Sequence, residues 1–515
     1  MATESEGTNK KLVKPRANHK VDTTKPLFRT KLMTGRKLIL SSETEVTADN
    51  ILKIIDKAMN IHTLNSSEID YLWKYRNGEQ PILHRIKRGG YDDIVNKIVE
   101  NRADEIVNFK IGYYVGEPIQ YTSKKDDPTH LETMQTFNDY MYAVNKASQD
   151  QDIVEWQMVC GTAYRLILPN NNKIMSEYKP FNMFTLDPRD TFIVRSVETG
   201  NEPLMAVMYY KDETELAITH YTCYTKTAVY RISNGNFDGE PEVNPLGMIP
   251  IIEYPANNSR TGAFELVLPL LDELNNIDSN RMDAIEQTVQ AFIKFINCDI
   301  SPEDFETFKE MGAIMVASSD GRQADVDVVK TDLDQSQTQT TKEDIYNAIL
   351  EICGIPSRTG GASTSDTGAA VILRDGYAMA ESRAKVFENM FKRSEMDMLT
   401  IALHICDMTE GITLDLRPWD IETKFTRRNY ENIVSKAQVL CEMLNNPKVH
   451  PILAYQSCGL FPDPEYAYAI SDKYYNDMLA KYETHEITED NEDEESLRAD
   501  RQIVEEDQGN DNKGV

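Results

Sequence analysis

The chain is poor in the groups that usually carry chemistry. In 515 residues there are seven cysteines, eight histidines and three tryptophans. The two closest cysteines, Cys441 and Cys458, are seventeen residues apart, so no CxxC zinc or redox motif exists. An odd, sparse cysteine count suits a reducing compartment. No Gly-Lys dipeptide occurs, which removes a standard Walker A loop. No GxG occurs either, which removes the Rossmann and kinase glycine signatures. GxSxG and HExxH are also missing. His404 and Cys406 lie two apart in a helical stretch, pointing in different directions. Asp187-Pro188-Arg189-Asp190 reads as a turn between strands rather than a catalytic carboxylate pair. No metal site and no cofactor is expected. No apolar run approaches eighteen residues and the N-terminus has no apolar signal core, so neither a spanning helix nor a secretory signal is expected.

Basic residues are also scarce. Lys and Arg number 55 against 84 Asp and Glu, a net charge of −29. Such a chain is a poor candidate for a broad basic face gripping nucleic acid. The charge is uneven. Residues 1–40 hold ten basic and three acidic residues, whereas 483–515 hold thirteen acids and three bases.

Hydrophobic patterning divides the chain. Residues 1–45 read as a disordered basic arm. One helix begins at Ile51, and a second short one carrying Ile69 to Tyr75 stops at Asn77-Gly78. Residues 91–114 and 130–158 read as helices. From 162 to 255, short β-branched and aromatic runs separated by Asn170-Asn171-Asn172, Thr199-Gly200-Asn201 and Asn234-Gly235-Asn236 predict an antiparallel sheet. Residues 262–297 repeat Leu270, Leu274, Ile277, Ile285, Val289, Phe292 and Ile296 near the helical period, about 45–50 Å of helix. Its polar positions include Asp272, Glu273, Asp278, Asp283 and Glu286.

An acidic insert at 299–335 opens on the helix start Ser301-Pro302-Glu303-Asp304. It then predicts a strand pair, AIMVA and VDVV, across Ser319-Asp320-Gly321. A helix follows over about 340–353. Ten of the fifteen residues 354–368 are Gly, Ser or Thr. Composition alone leaves this loop open as a phosphate cradle, a linker or a contact that touches a polymer without reading it. A helix over 369–410 contains Gly376, where a bend or close packing is expected. Residues 413–427 read as extended and 429–482 as helical.

This order of pieces resembles the portal proteins of tailed double-stranded DNA bacteriophages, and most of all the branch found in long-tailed phages of Gram-positive hosts. The resemblance rests on YLWKYRNGEQPI (71–82), NRADEIVNFKIGYYVGEPIQY (101–121), IPIIEYPANNSRTGAFELVLPLLDELN (249–275), DTGAAV (366–371) and LNNPKVHPILAYQSCGLFPDPEYAYAI (444–470). It implies an α+β portal fold with a basic arm (1–45), a wing of helices and sheet (46–261) and a stem helix (262–298). A clip (299–335), a second stem helix (336–353) and a tunnel loop (354–368) would follow. A long wing helix and strand (369–428), a helical crown (429–482) and an acidic disordered tail (483–515) would complete the chain.

It further implies a ring of usually twelve subunits at one capsid vertex, in the virion, with assembly in the host cytoplasm. Double-stranded DNA would be packaged and ejected through its channel without sequence readout. Terminase, then a head-completion adaptor, would dock at the clip. Capsid and scaffolding protein would be further partners, with no membrane and no enzymatic activity. On this resemblance the tunnel-loop contacts are Ser357, Arg358, Thr359, Gly360, Gly361, Ser363, Thr364 and Ser365. The channel-lining acids are Asp272, Glu273, Asp278, Asp283 and Glu286, which otherwise face outer solvent, and the clip surface is Glu303, Asp304, Glu306, Asp320 and Arg322. The competing readings are a packaging nuclease or ATPase, and an acidic scaffold.

Overall fold

The computed structural model describes residues 35–86, 94–124, 128–172, 175–212, 218–289, 292–296, 325–329, 335–356, 377–427, 433–461 and 464–480. The architecture mixes helix and sheet, as expected. Strand β1 (Ile39–Ser41) precedes helix α1 (Ile51–Arg76). Then come α2 (Arg102–Val115), β2 (Gln120–Ser123), α3 (Pro128–Ala143) and α4 (Lys146–Cys160). The sheet region holds β3 (Thr162–Pro169), β4 (Phe181–Leu186), β5 (Thr191–Ser196), β6 (Pro203–Lys211), β7 (Thr219–Tyr224), β8 (Ala228–Ser233), β9 (Asn236–Phe237), β10 (Glu242–Val243) and β11 (Ile251–Pro255).

These strands form two sheets. The larger has the order β1-β5-β6-β7-β8-β10, with β9 on β8, and the smaller β11-β3-β4. All pairs are antiparallel except β1 with β5. Strand alternation divides the larger sheet's side chains between two cores. Phe192, Val194, Met205, Val207, Cys223 and Ile232 pack on Ile51, Ile54, Ile55 and Ala58 of α1. Ile193 and Ala206 pack on Tyr164, Leu166 and Ile251 of the smaller sheet. Asn234 and Gly235, at φ +50° and +79°, make the left-handed pair that a two-residue hairpin turn requires.

Several expectations change. Part of the supposed arm is ordered: β1 joins the sheet, and the buried guanidinium of Arg36 meets Glu265 at 2.9 Å and Glu68 at 3.0 Å. Residues 51–76 form one helix rather than two, ending at Asn77-Gly78 as expected, with Gly78 at φ +92°. Residues 94–101 are extended, not helical, and α2 starts only at Arg102. The 130–158 stretch is two helices, broken at left-handed Asn145. Asp187 accepts from the Arg189 amide (2.8 Å) and guanidinium, closing the expected turn between β4 and β5.

The long helical pattern from 262 also divides. Helix α5 spans Leu268–Val289, about 33 Å, and Phe292–Ile296 is strand β12. In FIKFI the aromatic and β-branched residues favour pairing over continued helix. Its antiparallel partner β13 (Asp325–Val329) contains the expected VDVV strand. The AIMVA strand, the Ser301 helix start and Gly376 lie outside the described residues. Helix α6 (Ser336–Cys353), α7 (Tyr377–Met408), β14 (Ile421–Lys424), α8 (Ile433–Leu444), α9 (Pro451–Cys458) and α10 (464–480) complete the order. β14 pairs with β2.

The main core gathers α1, α2, α4, the small sheet, α5 and α7. At its centre lies a buried charge cluster. Arg165 of β3 donates to Asp150 of α4 (2.5 Å) and to Glu395 of α7 (3.1 Å). Lys146 donates to Asp150 (2.6 Å) and reaches Glu395 (3.3 Å). The hydroxyls of Tyr121 and Tyr254 donate to Glu395 at 2.5 and 2.8 Å. Two cations meet two carboxylates, so the formal charge balances. Burial opposes ionisation of Glu395, but Lys146, Arg165 and the two hydroxyls outweigh it and hold its carboxyl below the usual range. Removing one partner strands the others in a low-dielectric core. Arg165→Ala is expected to cost about 3–5 kcal/mol, read as a lower denaturant midpoint.

A second buried carboxylate, Glu253 on β11, accepts from Arg260 (2.5 Å) and Arg195 (2.8 Å). Burial opposes its ionisation; Arg260 and Arg195 prevail and hold it at about 2. Its folded pKa therefore lies below the unfolded value of about 4.3. The stability it contributes is complete above that value and disappears as pH falls towards 2. Between those limits, Glu253→Gln is expected to flatten the decline in stability measured by denaturation at stepped pH.

Candidate functional site: the stem and the root of the loop

Helices α5 and α6 pack side by side, joined by polar contacts. Arg281 donates to Gln335 and to Gln339 (2.8 Å), and Lys342 pairs with Asp278 at 2.8 Å and Glu100 at 3.1 Å. The rising residue numbers on α6 against the falling ones on α5 make the pair antiparallel. Burial and the neighbouring Glu100 push the Asp278 carboxyl up, with Lys342 opposing. Glu100 is held down by its contacts to Asp278, Lys342 and Arg102, which overcome burial.

Another side of α5 is covered by the extended segment 94–101. The amides of Asn96, Ile98 and Glu100 donate to Asp283 (2.7 Å), Ser279 (3.0 Å) and Asn275 (2.8 Å). Alternate amides of an extended strand are about 6–7 Å apart and successive helical turns 5.4 Å, so the two ladders roughly match. Asn275, Ser279 and Asp283 are all buried. Arg85 adds an ion pair to Asp283 at 3.2 Å, and Asn275 donates to Gln80.

The five stem acids thus separate. Asp283 is buried under the strap, which corrects its assignment as a channel-facing acid: a side chain enclosed by its own chain has no free face. Asp278 is half-buried on Lys342, and Asp272 accepts from the Tyr75 hydroxyl at 2.8 Å. Glu273 and Glu286 are exposed. The loop residues Ser357, Arg358, Thr359, Gly360, Gly361, Ser363, Thr364 and Ser365 lie outside the described residues, as do Glu303, Asp304, Glu306, Asp320 and Arg322.

Helix α6 ends at left-handed Gly354, where the Gly354 amide donates to Glu351 and the Ile355 amide to Leu350. Arg383 of α7 donates to the Ile352 carbonyl at 2.6 Å, adding a cation at the negative end of α6. A Cβ on Gly354 would sit 2.4 Å from Arg383 Cδ. Flanking Arg383 on α7, Glu381 and Glu388 hold Arg427. Nearby Lys110 is buried, which lowers its amine to about 8, with Cys353 opposing and Arg383 assisting. Cys353 is pushed up to about 11 by burial, so its thiol is inert. Sequence reasoning missed Lys342, Arg383 and Arg427. The signal that existed was the polar i, i+4, i+8 spacing of Asn275, Ser279 and Asp283.

No group of three His, Cys, Asp or Glu side chains fit to hold a metal occurs among the described residues. No described helix is long and apolar enough to cross a membrane. Among the described residues, the site offers a long stem helix pair, a capped end of α6 and no reactive constellation. Residues 55–497 match the family described as phage portal protein, SPP1 Gp6-like. The chain belongs to that family. No curated protein matches it. Among solved structures, it is similar to a chain in the neck of an empty GTA particle computed with C6 symmetry, with 12% identity, a TM-score of 0.39, and coverage of 70% of this chain and 90% of that one. Portal proteins are structural components of the bacteriophage head–tail connector, not enzymes.

For this portal protein, Asp283→Ala is expected to expose the amides of 94–101, with about 10- to 100-fold faster hydrogen exchange in that peptide, because a buried donor loses its acceptor at about 1–3 kcal/mol. Glu286→Ala is expected to leave the same peptide unchanged.

Proposed function

We propose that copies of this chain close into a ring, of twelve subunits, at one vertex of the capsid. Double-stranded DNA enters and leaves through its channel. Terminase docks on the clip and is replaced there by head-completion and tail proteins, while capsid and scaffolding protein meet the outer wall during assembly in the host cytoplasm. The observation that carries this reading is the family match over residues 55–497. The sequence motifs further favour the long-tailed phages of Gram-positive hosts.

The physics of the task supports it. Each fixed Lys or Arg contact to phosphate adds salt-dependent affinity through counterion release, so a basic lining would brake a moving duplex. On the stem, Arg281, Lys342 and Arg85 are each engaged within the chain. Of the five proposed stem acids, Glu273 and Glu286 are the exposed ones, and these are proposed to face the channel. Twelve chains would sum to about −350, a field that discourages static adsorption of DNA. In the loop, Gly360 and Gly361 supply backbone freedom, and Ser357, Thr359, Ser363, Thr364 and Ser365 supply exchangeable hydrogen bonds. Arg358 is its one cation. Glu303, Asp304, Glu306, Asp320 and Arg322 form the proposed clip surface.

Negative-stain microscopy with mass measurement of the purified chain is expected to give closed rings with a central hole wide enough for a duplex. Monomers, or a sealed assembly, would refute the reading. Deletion of 357–365 is expected to lower packaged genome in vivo while rings persist; unchanged packaging would remove the loop from the mechanism.

A further inference from the structure

Among the described side chains, the C-terminal helices enclose almost no core of their own. Across residues 433–480 only Ala454 and Cys458 are buried among the described side chains. α8 packs on α9, with Lys436 donating to the Gly459 carbonyl at 3.2 Å. α10 leans on α9 through Tyr468, whose ring meets His450 at 6.1 Å and Tyr455 at 5.9 Å. From Asp472 onward every residue of α10 is exposed. A helix end of that length does not hold its shape alone in water.

Its bare side is apolar. Ile470, Tyr474 and Met478 recur every fourth residue at 50%, 66% and 37% exposure, flanked by Tyr475 and Leu479. With aromatic side chains offering about 150–250 Å² each, the exposed parts come to roughly 500 Å². That lies within the roughly 300–600 Å² of the largest apolar patch on a typical monomer, which is often a functional one, and is most of the roughly 800 Å² one partner contributes to a standard interface. A separate set of exposed apolar residues lies on the neighbouring helices: Val439 and Leu444 on α8 and Leu453 on α9.

We propose that α10 docks, through Ile470, Tyr474 and Met478, onto the α8–α9 face of the adjacent copy of this chain. Two different apolar surfaces on one short module suit a head-to-tail contact, in which each copy gives one surface and receives on the other. Such a contact repeats around a closed ring, and the inference rests on the ring reading above. It adds that the three helices complete their core only between subunits.

The test compares hydrogen exchange of the assembled wild-type chain with that of the double variant Ile470→Glu/Tyr474→Glu and the control Lys473→Ala. Both surfaces are exposed in the single chain, so thermal melting of the wing is expected to be unchanged in all three. In wild-type rings the 466–480 peptides are expected to exchange at least tenfold more slowly than in the double variant, with the control matching wild type. If wild type forms no ring, the ring reading itself falls. If rings form and the double variant protects 466–480 to within twofold of wild type, the docking proposal is overturned while the ring stands. Protection that arises only on adding scaffolding or another virion protein also overturns it, in favour of that partner.

Discussion

The main core of this chain is organised around the enclosure of Glu395. It sits on the thirty-two-residue helix α7 and takes contacts from α4, β2, β3 and β11. Four ionisable groups with a balanced charge lie buried there, and each is tolerable only while the others stay in place. A purely apolar core tolerates sliding of one helix past another. A cluster with this many directional bonds fixes both the position and the rotation of α7 against the sheet.

That constraint sets where the rest of the chain goes. With its C-terminal half anchored at Glu395, α7 carries its N-terminal half outward as a strut. Arg383 there caps α6, and Glu381 and Glu388 hold Arg427. The end of the stem helix α6 and Arg427 therefore converge on two turns of one helix. The stem is held independently by the strap at 94–101, whose amides use side chains of α5 as a strand would use another strand.

Much of this plan was legible in the sequence, and the exceptions share a physical cause. Periodicity and turn residues located the β-sheet region, the stop at Asn77-Gly78, α6 and most of α7, because those signals are local. The end of α5 was misread since Phe292 and Ile296 fit the helical period as well as a strand alternation; only the pairing with β13 decides between them. Residues 94–101 carry a helix-like pattern, and what holds them extended is Asn275, Ser279 and Asp283, nearly two hundred residues away in sequence. The same distance hid Asp283, which counted as a wet acid until its partners came into view. β1 escaped for the opposite reason: three residues are too few to show any period. The charge cluster was invisible because Arg165, Asp150 and Glu395 look like ordinary surface charges when each is read in its own element.

The central claim is that α7 and the sheet form one cooperative body. Native-state hydrogen exchange at increasing denaturant tests it most directly. The account predicts that amides of α7 around Glu395 share a single opening free energy with those of β3 and β11, converging on global unfolding. An α7 that exchanges through a separate, lower-energy opening while β3 and β11 stay protected would contradict it.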